Sequence, residues 1–431
     1  MPSVKSGEMD TTGSFIVTFR TGAAEEGIAS LKKMTGITKS KLMSSSDFGV
    51  LGVNLAQTPE TGGVIFQNLG IAVVNIETMS AISLAQEISG GGSAILAIEP
   101  EGIMHAISNS SISSEYLRGF KDAATALYEQ AILDESKSIN IGALEFYQDT
   151  PTVAWGLLAT KAGSSRYSGL GIKVAVLDTG LDLLHPDFSG RNVIGQSFIT
   201  GVPTVQDGHG HGTHCAGTAC GPMSPIRGAR YGVAHEAELL VGKVLSDQGS
   251  GRDSGILAAI DWAISNGSEI ISMSLGADIT STSTAYEAVG QRALDAGTLI
   301  VAAAGNNARR QVGEFGFVGR PANSRTFMSV GALANRLQTA NFSARDTVLA
   351  PGTAVDIAGP GVDIYSSWPL PDQFNVISGT SMATPHVAGI AALWAEATGD
   401  RGAALWQRVI SNAKSLSDPV IDVGRGLVQA P

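Results

Sequence analysis

The chain has 431 residues, of which 43% are hydrophobic and only 16% are charged. This composition indicates a folded protein with a large core and room for a second domain, and it argues against a disordered chain. The formal net charge of −11 argues against nucleic acid or an anionic membrane as a partner, because phosphate groups would be repelled.

The N-terminal residues contain no apolar signal-peptide core, and no apolar run is long enough to cross a bilayer. We therefore expect a cytoplasmic protein if the chain is complete, and a secreted one if a leader was removed. Cys215 and Cys220 lie five residues apart in a segment with helical character. This spacing places them on different helix faces, so we expect no disulfide between them.

Residues 13–107 alternate strand-like and helix-like segments. The order β-α-β-β-α-β is typical of a small ferredoxin-like α+β domain. The hydrophobic patterns predict strands at 15–20, 47–56, 70–77 and 93–100, and helices at 23–34 and 80–89.

Residues 108–150 read as a connector, with a polar, turn-rich patch followed by a predicted helix at 114–133. From about residue 152 onward, buried-type strands alternate with helices, which predicts a parallel sheet covered on both faces. The strands are predicted at 172–180, 237–245, 269–276, 298–306 and 327–333, and the helices at 257–267 and 287–297. Reactive groups collect at the carboxyl ends of such strands, where Asp178 and Asn306 are placed.

Three short segments carry unusual chemistry. They are VAVLDTGLD with Asp178, DGHGHGTHCAGT with His209, His211 and His214, and SGTSMATPHVAG with Ser381. A serine hydroxyl becomes a good nucleophile when an imidazole takes its proton, and that imidazole needs a buried carboxylate to orient it. The segments therefore favour nucleophilic catalysis by a serine.

Pro385 is tolerated in the first turn of a helix, so Ser381 is expected at or just before a helix N-terminus. The free N–H groups there favour the negative charge that develops on an attacked carbonyl oxygen. Gly379 would leave room for a substrate main chain. The alternative for Ser381 taken alone is an ordinary helix N-cap.

Three histidines within six residues also suit a zinc site, since His211 and His214 have helical i, i+3 spacing. A zinc hydrolase leaves the segments around Ser381 and Asn306 unexplained, so we favour the serine interpretation. His209 is then expected in the preceding loop and His214 in a structural role.

The segments VLDTGLD, HGTHCAGT, MSLG, AAAGN and GTSMATPHVAG resemble the motifs of subtilisin-like serine proteases, the subtilase family, in that family's order. The resemblance implies an α/β fold, with a three-layer catalytic domain around a mostly parallel sheet. It implies Asp178 as the orienting carboxylate, His211 as general base and acid, and Ser381 as the nucleophile. Asn306, together with Ser381, is implied to form the oxyanion hole.

The resemblance also implies substrate-binding residues. Two segments would pair with the substrate as neighbouring strands, Gly249, Ser250 and Gly251 on one side and Ser274, Leu275 and Gly276 on the other. Arg252 and Asp253 lie where the family commonly carries a neutral or aromatic residue, and this departure leaves the detailed specificity open.

Residues 13–107 resemble the inhibitor-type propeptide of the same family. The chain would then consist of a propeptide at 1–107, a linker with the processing site at 108–150, and a catalytic domain at 151–431. Protein or peptide substrates are implied as partners, with the propeptide as an intramolecular inhibitor. No cofactor is implied for the chemistry. Structural calcium is frequent in the family, but residues 221–234, which match its common site, contain two arginines and no carboxylate.

The leading interpretation is a serine endopeptidase that acts through an acyl-enzyme and is made as an autoprocessed zymogen. Two alternatives stay open. One is a narrow-specificity maturation protease acting on a dedicated partner, which the charged Arg252–Asp253 pair favours. The other is an inactive binding protein on the same fold, against which the intact catalytic positions argue.

Overall fold

The computed structural model describes residues 10–53, 55, 62–89, 92–107, 145–346 and 354–431. The turn-rich patch and the helix predicted at 114–133 lie outside these residues. Among the helices in the described ranges, none has both the length and the apolar character that crossing a membrane requires.

The N-terminal domain packs two helices against a mostly antiparallel sheet. Its described elements are β1 (Thr11–Phe19), α1 (Ala24–Thr35), β2 (Leu42–Ser44), β3 (Gly63–Phe66), β4 (Ile71–Val74), α2 (Thr78–Ser89) and β5 (Ile95–Ala106). The strands run in the order β5-β1-β4-β3-β2, with β2 parallel to β3 and the other neighbours antiparallel. Apart from the added β2, the strand order is the ferredoxin-like one that the sequence predicted, but its second strand, β3, lies outside the strands predicted from the sequence.

The strand predicted at 47–56 is wrong in its described part. Ser45–Asp47 and Gly49–Leu51 form single 3₁₀ turns there. Gly49 and Gly52 have φ angles of 53° and 71°, which interrupt an extended backbone. At the other end of the domain, β5 continues past the predicted end at residue 100, because its last residues pair with the second domain.

The second domain contains a seven-stranded parallel sheet in the order β14-β13-β12-β10-β6-β8-β7. These strands are β6 (Lys173–Asp178), β7 (Val193–Ser197), β8 (Glu238–Lys243), β10 (Ile270–Met273), β12 (Leu299–Ala303), β13 (Met328–Leu333) and β14 (Ile357–Pro360). Outside this sheet lie β9 (Ser250–Arg252) and β11 (Leu275–Gly276), which pair with β5, and the hairpin of β15 (Ile364–Ser367) and β16 (Phe374–Ile377).

Helices cover both faces of the parallel sheet, so its strands are buried on both sides. They are α3 (Trp155–Ala159), α4 (His211–Cys220), α5 (Asp253–Ser265), α6 (Thr284–Asp295), α7 (Thr380–Thr398), α8 (Gly402–Ser411) and α9 (Val420–Val423). Along β6, Val174 and Val176 join the core that contains α4 and α7, whereas Ala175 and Leu177 join the core that contains α5 and α6. This alternation confirms the predicted three-layer α/β architecture and leaves the carboxyl end of β6 at the sheet edge.

Candidate active site

The carboxyl end of β6 and the start of α4 bring Asp178 and His211 together. Oδ1 of Asp178 lies 2.7 Å from Nδ1 of His211, and each side chain is only 1% exposed. Burial lowers the pKa of His211, but the Asp178 carboxylate outweighs it, so the pKa lies well above 6.5. Within the described part of the chain, Nε2 of His211 has no hydrogen-bond partner. One ring nitrogen of His211 is therefore hydrogen-bonded to Asp178, and the other has no hydrogen-bond partner among the described residues.

Asp207, which the sequence analysis did not single out, holds the start of α4 in place. Its Oδ1 accepts from Oγ1 of Thr179, and its Oδ2 accepts from N–H and Oγ1 of Thr213 at 2.9 and 2.7 Å. Burial raises its pKa, but the hydrogen bonds from Gly210, Thr213 and His209 outweigh burial, and the pKa lies below 3.8. Asp207 also accepts the N–H groups of His209 and Gly210. The sequence signal that could have identified Asp207 is an acidic residue shortly before the helical segment that begins at His211.

Ser381 is the second residue of α7, at the helix N-terminus as expected. Pro385 is the sixth residue, one turn deeper than the first turn that we expected. Since proline has no N–H, it cannot donate to the carbonyl of Ser381 four residues earlier. That carbonyl accepts instead from Oγ of Ser274 at 2.8 Å and from Sγ of Cys215 at 3.5 Å. The proline thus frees an acceptor that ties α4, α7 and the segment before β11 together.

Two donors converge on the carbonyl oxygen of Ile107, the residue that follows β5. Oγ of Ser381 donates to it at 2.8 Å, and Nδ2 of Asn306 donates to it at 3.1 Å. The amide of Asn306 is oriented by Thr380, whose N–H and Oγ1 both donate to its Oδ1 at 2.9 Å. A Cβ at Gly379 would lie 3.3 Å from the Ile107 oxygen, so glycine keeps the approach open. The Asn306 amide suits stabilisation of a carbonyl oxygen that becomes negative under attack, whereas the Ser381 hydroxyl lies within reach of the same carbonyl group.

The two segments that the sequence predicts to bind substrate flank β5 on both sides. On one side, Met104 and His105 pair with Gly251 and Ser250, and Ala106 N–H donates to the Gly249 carbonyl at 2.8 Å. On the other side, His105 and Ala106 pair with Gly276 and Leu275, and Ile107 N–H donates to the Ser274 carbonyl at 3.4 Å. Residues 105–107 therefore lie between two edge strands as an extended peptide, and residues 103 and 104 pair with β9 alone.

His214 and the two cysteines are buried near this site. Nε2 of His214 lies 2.9 Å from the Ile364 carbonyl, and burial lowers the pKa of His214 to about 3. Cys215 and Cys220 are both free, and burial raises the pKa of each thiol. Within the described ranges, the potential ligand atoms that gather within 4.8 Å belong to Asp178, His211 and Cys215. That trio, rather than the three histidines, could hold a thiophilic cation.

Comparison with known proteins decides the family. A sequence model of the subtilase family matches residues 169–426, which is more than half of the chain. The chain belongs to the subtilase family. The matched range includes the segments of Asp178, His211, Asn306 and Ser381, whereas β5 lies outside it.

Three bacterial proteases are among the proteins whose sequences are similar to this chain. Subtilisin E of Bacillus subtilis is 39% identical over 279 residues, which cover 63% of this chain and 69% of the relative. Subtilisin Savinase of Lederbergia lenta is 41% identical over 245 residues, covering 56% and 84%. The thermostable alkaline protease of Halalkalibacterium halodurans is 35% identical over 349 residues, covering 78% and 90%. By this homology the subtilase is a serine endopeptidase that acts on proteins.

Proposed function

We propose that Asp178, His211 and Ser381 form the catalytic triad of this subtilase, and that the enzyme cuts its own chain after Ile107. The observation that carries the proposal is the Ile107 carbonyl, which accepts hydrogen bonds from both Ser381 and Asn306. The edge strands β9 and β11 support it, because they hold the residues before Ile107 in register with the nucleophile.

The proposed reaction begins when Nε2 of His211 takes the proton of Ser381 Oγ, which attacks the carbonyl carbon of Ile107. Asn306 donates to the oxygen that becomes negative, and Asp178 stabilises the protonated imidazole. His211 then gives the proton to the nitrogen of Ser108 as the Ile107–Ser108 bond breaks. Water, deprotonated by His211, hydrolyses the ester between Ile107 and Ser381 and regenerates the enzyme.

The proposal includes an inhibitory role for residues 1–107 after the cut, with 108–150 as the linker and 151–431 as the catalytic domain. Support comes from contacts away from the cleft. The Glu101 carboxylate accepts the Ser254 N–H at 2.9 Å near the start of α5. The Arg292 guanidinium of α6 donates to the Phe19 carbonyl at 2.6 Å. Such contacts would keep the product strand in the cleft and exclude other substrates.

The test compares the wild-type chain with Ser381→Ala, using denaturing electrophoresis and N-terminal sequencing. We expect the wild type to give two fragments, with one beginning at Ser108, and the variant to remain intact. An uncut wild-type chain, or the same cut in the variant, contradicts self-cleavage. A fragment beginning elsewhere in the linker contradicts the assignment of Ile107.

A serine-directed organophosphate distinguishes the enzyme from the inactive binding protein considered above. We expect the wild type to be labelled at Ser381 and Ser381→Ala to remain unlabelled. Cleavage of a random peptide library then separates broad from narrow specificity. A single narrow consensus would favour the maturation protease.

A further inference from the structure

Arg252 and Asp253, the charged pair that departs from the family pattern, are separated by the fold. Arg252 is exposed, whereas Asp253, the first residue of α5, is 1% exposed. Oδ2 of Asp253 accepts the main-chain N–H of Gly102 at 2.8 Å, and Oδ1 accepts the Tyr286 hydroxyl at 2.6 Å. The carboxylate thus joins the catalytic domain to the bound strand at a point beyond the edge-strand pairing.

Tyr286 fixes the direction of this carboxylate. It is fully buried on α6, and its ring meets Phe327 edge-on with the centroids 5.9 Å apart. Burial and the neighbouring Asp253 charge raise the pKa of Tyr286 well above 10, so its hydroxyl stays a donor. With Oδ1 held by Tyr286, Oδ2 faces the strand.

Asp253 lies where β9 ends and α5 begins. Of the β5 residues that pair with β9, Ile103 lies farthest from the scissile bond, and it is paired with Arg252. One residue farther from the scissile bond, the catalytic chain has already entered α5, where main-chain carbonyls accept intrahelical hydrogen bonds. The Asp253 carboxylate supplies the acceptor that a longer β9 would have offered to Gly102.

We infer that Asp253, oriented by Tyr286, determines specificity at the sixth residue before the scissile bond by binding that residue's main-chain N–H. The inference rests on the proposed cut after Ile107, which makes Gly102 the sixth residue. The enzyme would then select substrates that are extended over six residues and reject proline at the sixth, because proline has no N–H.

Asp253 is ionised under ordinary assay conditions. Burial, aided by the Glu101 charge, raises its pKa to about 6, while the bonds from Tyr286 and Gly102 and the Arg320 charge oppose this rise. At about pH 8 the N–H therefore meets a carboxylate, and such charge-assisted hydrogen bonds are the strong ones.

The test uses two acetylated peptides of residues 100–107, each with a fluorogenic amide on the Ile107 carboxyl group. They differ only at Gly102, where an ester oxygen replaces the N–H in the second peptide. The ester removes the donor without adding bulk. The enzyme is the form recovered after activation of the full chain, and the readout is the ratio of kcat/KM for the two peptides at about pH 8.

We expect the wild type to prefer the amide peptide by about tenfold to 100-fold, since the ester leaves a carboxylate oxygen unsatisfied. In Asp253→Ala the ratio should fall to about one, and in Asp253→Asn an intermediate preference should remain, because the amide oxygen still accepts. Each ratio is internal to one enzyme preparation, so a variant that folds in lower yield still reports on the contact.

Equal rates for both peptides in the wild type would overturn the inference, as would an unchanged preference in Asp253→Ala. Both results leave the proposed function standing, because the peptides are still cleaved. Failure of an uncut wild-type chain to cleave either peptide would overturn the proposed function, and the inference with it.

Discussion

Removing the Glu99 carboxylate should weaken inhibition by the cut propeptide. Glu99 lies on β5, half-buried, at the N-terminus of α6. It accepts from Oγ of Ser283 at 3.1 Å and from the N–H groups of Thr284 and Ala285 at 3.2 and 2.8 Å. Glu101 is a poorer probe, because its carboxylate also accepts the Thr12 hydroxyl within the N-terminal domain.

The size of the effect follows from these contacts. A negative charge at a helix N-terminus contributes about 0.3–1 kcal/mol at an exposed site and up to about 2 kcal/mol where partly buried. When the propeptide leaves, water partly compensates for the three lost hydrogen bonds. We therefore expect Glu99→Ala to weaken the binding free energy of the propeptide by about 2 kcal/mol. This corresponds to about 30-fold weaker binding. Glu99→Gln keeps an acceptor and loses the charge, and should cost about 0.5–1 kcal/mol.

The assay starts from the full chain after self-cleavage, with the propeptide still bound. This complex is diluted and peptide hydrolysis is followed, because the propeptide leaves when the total protein concentration falls below the dissociation constant of the complex. Glu87→Ala is the matched control: it removes the same charge from an exposed position on α2. We expect the dissociation constant to be about equal in the wild type and Glu87→Ala, higher in Glu99→Gln and highest in Glu99→Ala. The reasoning is refuted if Glu99→Ala and Glu87→Ala release activity at the same concentration.

Three further predictions concern the catalytic centre. Asn306→Ala should lower kcat for peptide hydrolysis by about 10²- to 10³-fold with little change in KM, the known size of this effect for a subtilisin's own amide donor. Because the pKa of His211 is raised and only neutral imidazole can take the serine proton, the self-cleavage rate should rise with pH from about pH 6 through that raised pKa. Asp207→Ala, in the Ser381→Ala background that prevents self-cleavage, should reduce the free energy of unfolding by about 3 kcal/mol, measured by denaturant titration, since several buried donors lose their acceptor.

A normal kcat in Asn306→Ala would remove the amide from the oxyanion hole. A self-cleavage rate independent of pH, followed by N-terminal sequencing of timed samples, would exclude His211 as the base. Equal denaturation midpoints and slopes with and without Asp207 would show that the start of α4 does not depend on it.

The sequence by itself determined the family, the fold class and the order of most elements. It could do so because strand-helix alternation and the glycine-rich motifs are local requirements, readable from a few neighbouring residues. The same local motifs nominated Asp178, His211, Asn306 and Ser381. Local reasoning was wrong where turns with glycines replaced the described part of the strand predicted at 47–56, and where Pro385 lies deeper in its helix than expected.

The tertiary structure decided which carbonyl meets Ser381 and which side chains contact β5. Ile107 and Ser381 are 274 residues apart in sequence, and Gly102 and Asp253 are 151 apart. No periodicity or motif encodes such a pair, because contact depends on how β5 docks between β9 and β11. From the sequence alone, Asp253 precedes the helix predicted at 257–267 and shows only a departure from the family pattern. Only the packing of β5 against α5 makes it an acceptor for the main-chain N–H of Gly102.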